Sequence, residues 1–189
     1  DLDSFYKNQD LVALAKAYFT EVGFDIEAIL ARSDLYEREK KNQHAFCNCI
    51  DRKQDIRMLC NLRDNEYWMG TLLHELGHAV YDQEIDQRLP YLLRTPAHTS
   101  TTEASAMLFG RISKEENFLA RLDKESASKV AAEAKRQNSA HLLVFARWTL
   151  VMIHFERAMY QQPGIDLNRY WWQLVERFQN VRSIPGRNK

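Results

Sequence analysis

At 189 residues the chain can bury one sizeable core but not two comfortable domains. Its 26 Lys and Arg balance 26 Asp and Glu, so no global charge argues for a nucleic-acid or membrane-surface partner, and no apolar run approaches the roughly 20 residues of a spanning helix. With 45% hydrophobic residues and only 6 Gly and 4 Pro, the composition points to long helices rather than a turn-rich sandwich.

Helical periodicity begins with Leu11, Leu14, Ala15, Tyr18 and Phe19 on one face, and Gly23 supplies a stop. Asp25 reads as the N-cap of a short second helix ending at Arg32. Ser33 to His44 is polar and reads as a solvated connection, with the charged run Glu37 to Lys41 as a solvated face. Ala45 to Ile50 and Asp55 to Leu62 flank a short polar turn, and the second run alternates Ile56, Met58 and Cys60 with polar neighbours. Together they predict an antiparallel hairpin. From Asp64, a candidate N-cap, the helical pattern returns through Asp82 or beyond. After a loop containing Pro90 and Pro96, another helix starts at the threonines 99 to 102 and carries Glu103, Met107 and Leu108. Further helices are expected over Lys114 to Arg121, Glu125 to Tyr160 (with a candidate break near Ser139) and Asp166 to Gln179, and Ile184-Pro185-Gly186 closes the pattern. The fold class expected is mainly α, with one short antiparallel β-hairpin, in a single unit over residues 1–189.

His74-Glu75-Leu76-Gly77-His78 is an H-E-x-x-H sequence inside the strongest helical segment. Residues four apart stack on one helix face, so both imidazoles can reach one ion at about 2.0–2.1 Å. Glu75 projects beside that face, where it can take a proton from water at the metal instead of ligating it. Leu72, Leu76 and Val80 can anchor the same helix in the core. A catalytic zinc usually has three protein ligands and an open position. Glu84 and Asp86 lie too close on the same helix to fold back, and His98 falls in a loop. Glu103 lies 25 positions after His78, enough chain to bring a second helix against the first. The plainer reading of Glu103 is a first-turn glutamate favoured by the helix dipole.

The motif with Glu103 on a following helix resembles the gluzincin peptidases, which include the angiotensin-converting-enzyme family and the thimet-oligopeptidase/oligoendopeptidase F family. The likeness extends to Leu14-Ala15-Lys16-Ala17-Tyr18-Phe19, to the hairpin strands Ala45–Asp51 and Asp55–Cys60, and to Tyr170-Trp171-Trp172 with Arg187-Asn188. It implies a helical zincin-type domain in which His74, His78 and Glu103 bind one Zn2+ and Glu75 is the general base. It also implies that Cys47, Asn48 and Cys49 stand where the family's hairpin pairs with the substrate backbone; otherwise the two cysteines merely pack behind the hairpin. The partners implied are short peptides and the rest of the chain's own polypeptide, because the family's transition-state His and Tyr fall beyond Lys189.

Departures from that family pattern are also present. Where the angiotensin-converting-enzyme family has a His before the ligand Glu and an Asp four residues after it, this chain has Thr102 and Met107. The group that orients the zinc histidines is therefore unassigned. Cys60 resembles half of a family disulfide whose other half corresponds to Ala45, so that bridge is absent. Three cysteines, odd in number and irregularly spaced, make neither a disulfide framework nor a good zinc site. His141 and His154 read as core or boundary residues, His44 as a surface residue, and Trp171 and Trp172 as helix packing. The chain opens at Asp1 without a signal-like segment and reads as a piece of a larger peptidase; its compartment is open, with the cytoplasm as the working expectation. The function expected is zinc-dependent hydrolysis of short peptides, the alternatives being a non-catalytic zinc- or peptide-binding module and a closed structural zinc site using His98.

Overall fold

Asn65 opens the helix that organises the fold: its side-chain oxygen accepts the Trp68 N–H at 2.9 Å, and α4 (Glu66–Gln83) follows. The expected cap, Asp64, instead accepts the Asn8 N–H at 2.7 Å, which ties the N-terminal segment to the start of α4. The structure, a computed structural model, describes residues 2–184, 186 and 187. Before α4 come α1 (Asp3–Tyr6), α2 (Leu11–Glu21), α3 (Glu27–Arg32), β1 (Phe46–Cys49) and β2 (Ile56–Leu59). After it come α5 (Thr99–Arg111), α6 (Glu116–Leu119), α7 (Ala127–Gln161) and α8 (Leu167–Gln179). The fold is mainly helical with one antiparallel hairpin, as the sequence pattern predicts. Among the described residues no helix is long and apolar enough to cross a membrane.

The chain divides into two compact units, Asp1–Ala134 and Lys135–Lys189. In the first, α4 is the spine. Met69, Leu72, Leu73, Leu76, Ala79 and Val80 are buried along it, and they meet Phe19 of α2, Ile29 of α3, Ile56 and Met58 of β2, and Phe118 and Leu119 of α6. Gly23 ends α2 as expected, at φ 94°, the left-handed conformation that Gly adopts without steric cost. The Phe24 N–H then reaches the Phe19 carbonyl at 2.8 Å and the Gly23 N–H that of Thr20 at 3.1 Å, which satisfies two end carbonyls. Asp25 accepts the Glu27 N–H at 3.0 Å, but Ile26 is the residue at the cap position of α3.

The hairpin pairs Phe46 with Leu59, Cys47 with Met58, Asn48 with Arg57 and Cys49 with Ile56. The Ile50 N–H donates to the Asp55 carbonyl at 2.8 Å, so Ile50–Asp55, Asn48–Arg57 and Phe46–Leu59 are the hydrogen-bonded pairs of the ladder. The N–H and C=O groups of Cys47 and Cys49 therefore point outward, to an edge that no other described strand covers. The far edge of β2 is covered instead. There the Asp34 N–H meets the Met58 carbonyl and the Cys60 N–H the Asp34 carbonyl, both at 2.9 Å.

Tyr36 to Lys40 and Asn42 to His44 are exposed, as the polarity of this connection suggested, but Leu35 is buried and Lys41 is drawn inward. The Lys41 side chain is 1% exposed, and its ammonium pairs with Asp34 Oδ1 at 2.9 Å and donates to the carbonyls of Asp34, Tyr36 and Cys60. A buried ammonium needs this many acceptors, and they converge only once the segment lies along β2. The Lys41 contact, and that of Arg38 after it, holds the Asp34 carboxyl below the usual carboxylate range.

The helix predicted over Lys114 to Arg121 is shorter, a 3-10 turn at Ile112–Lys114 followed by α6. α7 runs unbroken through Ser139, whose hydroxyl donates to the Lys135 carbonyl at 2.9 Å and so bonds within the helix rather than against it. In the second unit, Val151, Trp171, Leu174 and Val175 are buried. Trp171 meets Trp148 and Phe155 edge-on, at 5.3 and 5.0 Å between ring centroids. His141 and His154 are exposed, contrary to the core or boundary reading, and His154 stacks on Phe178 at 5.3 Å. Trp172 donates to the Arg187 carbonyl at 3.2 Å; Asn188, part of the same sequence likeness, lies outside the described residues.

Candidate functional site

His74, His78 and Asp82 stand four residues apart on α4 and share one face of it. Against that face lies α5, whose N-terminus is capped by His98: its Nδ1 accepts the Ser100 N–H at 3.0 Å. The two helices cross closely because small residues meet there. A Cβ on Gly77 would lie 2.7 Å from Ala106 Cα and 3.0 Å from the Ser105 carbonyl. One on Gly110 would lie 3.2 Å from both the Gly70 carbonyl and His74 Cβ. Ser105 fastens the crossing by donating to the Gly77 carbonyl at 3.2 Å.

The close crossing brings Glu103 to the two histidines. Glu103 Oε2 lies 3.6 Å from His74 Nε2, and Oε1 lies 3.5 Å from His78 Nε2. One ligand atom from each of the three residues falls within 4.8 Å of the other two. Ligand bonds of about 2.1 Å put neighbouring donors of a tetrahedral ion about 3.4 Å apart. Two imidazoles and a carboxylate with this spacing could hold such an ion. The other sequence candidates, Glu84, Asp86 and His98, stand outside this cluster.

Thr102 stands at the position sequence reasoning left unassigned as a partner for the histidines: its Oγ1 lies 2.7 Å from His78 Nδ1. Burial, with His78 nearby, pushes the His74 pKa down and favours the neutral imidazole that a metal requires. Glu75 is only 6% exposed, and burial, reinforced by the negative charge of Glu103, raises its pKa to about 7.

A cleft of about 470 Å³ opens over these groups, lined by His74, Glu75, His78, Asp82 and Glu103 with Ala45 to Cys47 opposite. Cys47 thus shares the site. The side chains of Asn48 and Cys49 do not line it: Asn48 is exposed, and the Cys49 thiol turns toward Asp51 and Lys53. Burial pushes the Cys47 thiol well above its ordinary value and that of Cys60 up to about 12, so all three cysteines rest as free thiols. Asp82 was also missed in the sequence, although its place four residues after His78 was the available signal.

No curated protein sequence matches the chain. Among solved structures it is similar to PZ peptidase A, determined with an inhibitor, at 15% identity and a TM-score of 0.61, over 97% of this chain and 31% of that one. It is also similar to a structure described as an oligoendopeptidase F from Bacillus anthracis, at 15% identity and a TM-score of 0.62, over 94% of this chain and 30% of that one. At such identity the likeness is one of fold, and the chain spans about three-tenths of the length of these relatives. The likeness to the angiotensin-converting-enzyme family stays a resemblance of motifs. The model of peptidase family M3 matches residues 28–189, nearly the whole of the chain and all of its cleft, and the chain belongs to peptidase family M3.

Proposed function

We propose that the protein containing this chain hydrolyses peptide bonds in short peptides, with one zinc ion held by His74, His78 and Glu103 and with Glu75 as the general base. The supporting observation is the convergence of two imidazoles and Glu103 beside a buried carboxylate, in a cleft that borders the uncovered edge of β1. Two neutral imidazoles and one carboxylate suit a borderline ion such as zinc, and no thiolate is required. A bound zinc ion supplies Lewis acidity toward a carbonyl oxygen and a water molecule.

The remaining steps belong to the chain's own residues. Glu75 takes the proton of the attacking water and returns it to the leaving amine, and a carboxyl raised to about 7 can do both near neutral pH. Thr102 holds the His78 ring, and the close crossing at Gly77 holds Glu103. An extended peptide can add to β1 through the outward main-chain groups of Cys47 and Cys49, with Asn48 between them. The small Cys47 side chain leaves room for a backbone to approach. A module that only binds zinc or peptide has no use for the buried carboxylate of Glu75, whose desolvation costs stability. We read the chain as part of the catalytic domain of a larger peptidase, because its structural relatives are about three times its length.

Glu75→Gln in the full-length protein is expected to lower turnover of a mixed peptide pool by about 10³-fold or more while zinc stays near one per chain. His78→Ala is expected to lose the zinc itself. Substantial activity in Glu75→Gln, or retained zinc in His78→Ala with loss in a Cys47→Ser, Cys49→Ser double variant, would sink the assignment.

A further inference from the structure

Asp82 is the one carboxylate in the cleft that the proposed chemistry does not use. It lines the same cavity as His74, His78 and Glu103 and is partly buried there. Its carboxylate has no hydrogen-bond or ion-pair partner among the described residues. It does not serve to orient His78 either, since Nδ1 of that ring already faces Thr102 and Nε2 faces Glu103. Burial lifts its pKa, with His78 opposing the rise. A group in that state is stabilised by a cation brought from outside.

We infer that Asp82 is a specificity-determining residue, selecting substrates that carry a Lys or Arg side chain about two residues from the scissile bond. The spacing follows from two repeats. Four residues of helix rise about 6 Å from His78 to Asp82. Two residues of extended peptide, at about 3.3 Å each, span nearly the same distance along β1. A peptide on that edge with its scissile carbonyl over His74, His78 and Glu103 therefore brings the side chain two positions along, on the cleft-facing side, to Asp82. Alternation supports this, because residues two apart in a strand face the same way. Cys47 lines the cleft together with Asp82, and at the hairpin turn Gln54 Nε2 donates to the Gln83 carbonyl at 3.3 Å, so β1 runs along α4 toward its Asp82 end. This inference rests on the peptidase reading of the same site.

The test uses the full-length zinc-loaded protein and a peptide series with Lys, Gln or Glu scanned through each position around one cleavage site. The wild-type protein is expected to prefer Lys over Gln by about tenfold in kcat/KM at a single position two residues from the cut. Asp82→Asn should bring that ratio near one, and Asp82→Lys should turn the preference to Glu. The ranking is read a second time as binding affinity in the Glu75→Gln variant, where no peptide is consumed. Cleavage with the same ranking in wild type and both Asp82 variants overturns the role of Asp82 and leaves the peptidase reading standing. An Asp82-dependent preference in binding, from a wild-type protein that cleaves nothing, would support Asp82 and overturn the peptidase reading.

Discussion

A histidine can offer Nε2 to a metal only when something holds Nδ1, and in this chain the holder of His78 is a hydroxyl. His78 Nδ1 lies 2.7 Å from Thr102 Oγ1 and Nε2 faces Glu103, so the tautomer that donates Nδ1–H to this hydroxyl keeps the Nε2 lone pair for a metal. Thr102→Val keeps the shape and removes the acceptor. Zinc affinity is then expected to fall by about tenfold to a hundredfold, measured by chelator competition on the full-length protein, and an unchanged affinity would mean that another group fixes the ring. The convergence of these three residues was legible in the sequence, since helical spacing puts His74 and His78 together and the family resemblance points to Glu103. The group behind them was not. Thr102 meets His78 across two helices, and no spacing within either one encodes that contact. Lys41 was misread for a similar reason: a lysine reads as solvated until the carbonyls that receive it are assembled by the fold.

At the scale of helices, the site depends on how closely α4 and α5 approach. Gly77 sits inside the H-E-x-x-H motif, where it reads as a neutral filler, yet its missing Cβ is what admits Ala106. Gly77→Ala would gain up to about 1 kcal/mol of helix propensity. A Cβ 2.7 Å from a backbone Cα cannot be relieved by a rotamer change, and overpacking of that kind costs about 1–3 kcal/mol. The second effect wins. The variant is expected to melt several degrees lower and to bind zinc more weakly, because separating the helices carries Glu103 away from both imidazoles. Equal zinc affinity in a folded Gly77→Ala protein would show that Glu103 does not depend on the crossing. The main elements were legible because periods of two and of 3.6 survive in the sequence. Caps moved by one residue, as with Asn65 for Asp64, because two adjacent polar residues compete for the position. The four-residue α1 was missed, being too short to show a period.

Across the whole molecule, the proposed ligands, Glu75 and the hairpin all belong to the first compact unit, Asp1–Ala134. The second unit keeps its own buried cluster around Trp171 and contributes none of these groups. Zinc that binds the native state adds roughly 2.7 kcal/mol of stability when free metal stands at about a hundred times Kd. That gain should be local. Hydrogen exchange with and without zinc is expected to show slower exchange at amides of α4 and α5, with those of α8 unchanged. Equal protection of α8 would mean that the metal's effect is not confined to the first unit.

The uncovered edge of β1 has a consequence outside catalysis. From Phe46 to Ile50 it is short and uncharged, and Phe46 and Ile50 are both about half exposed. Natural sheets commonly guard such edges with lysines, prolines or bulges, and this one carries none. Main-chain groups that accept any peptide accept a neighbour's strand equally well, because neither pairing reads side chains. On the proposed peptide pairing, β1 is therefore open to edge-to-edge association whenever the cleft stands empty, and peptide pairing and colloidal stability pull this strand in opposite directions.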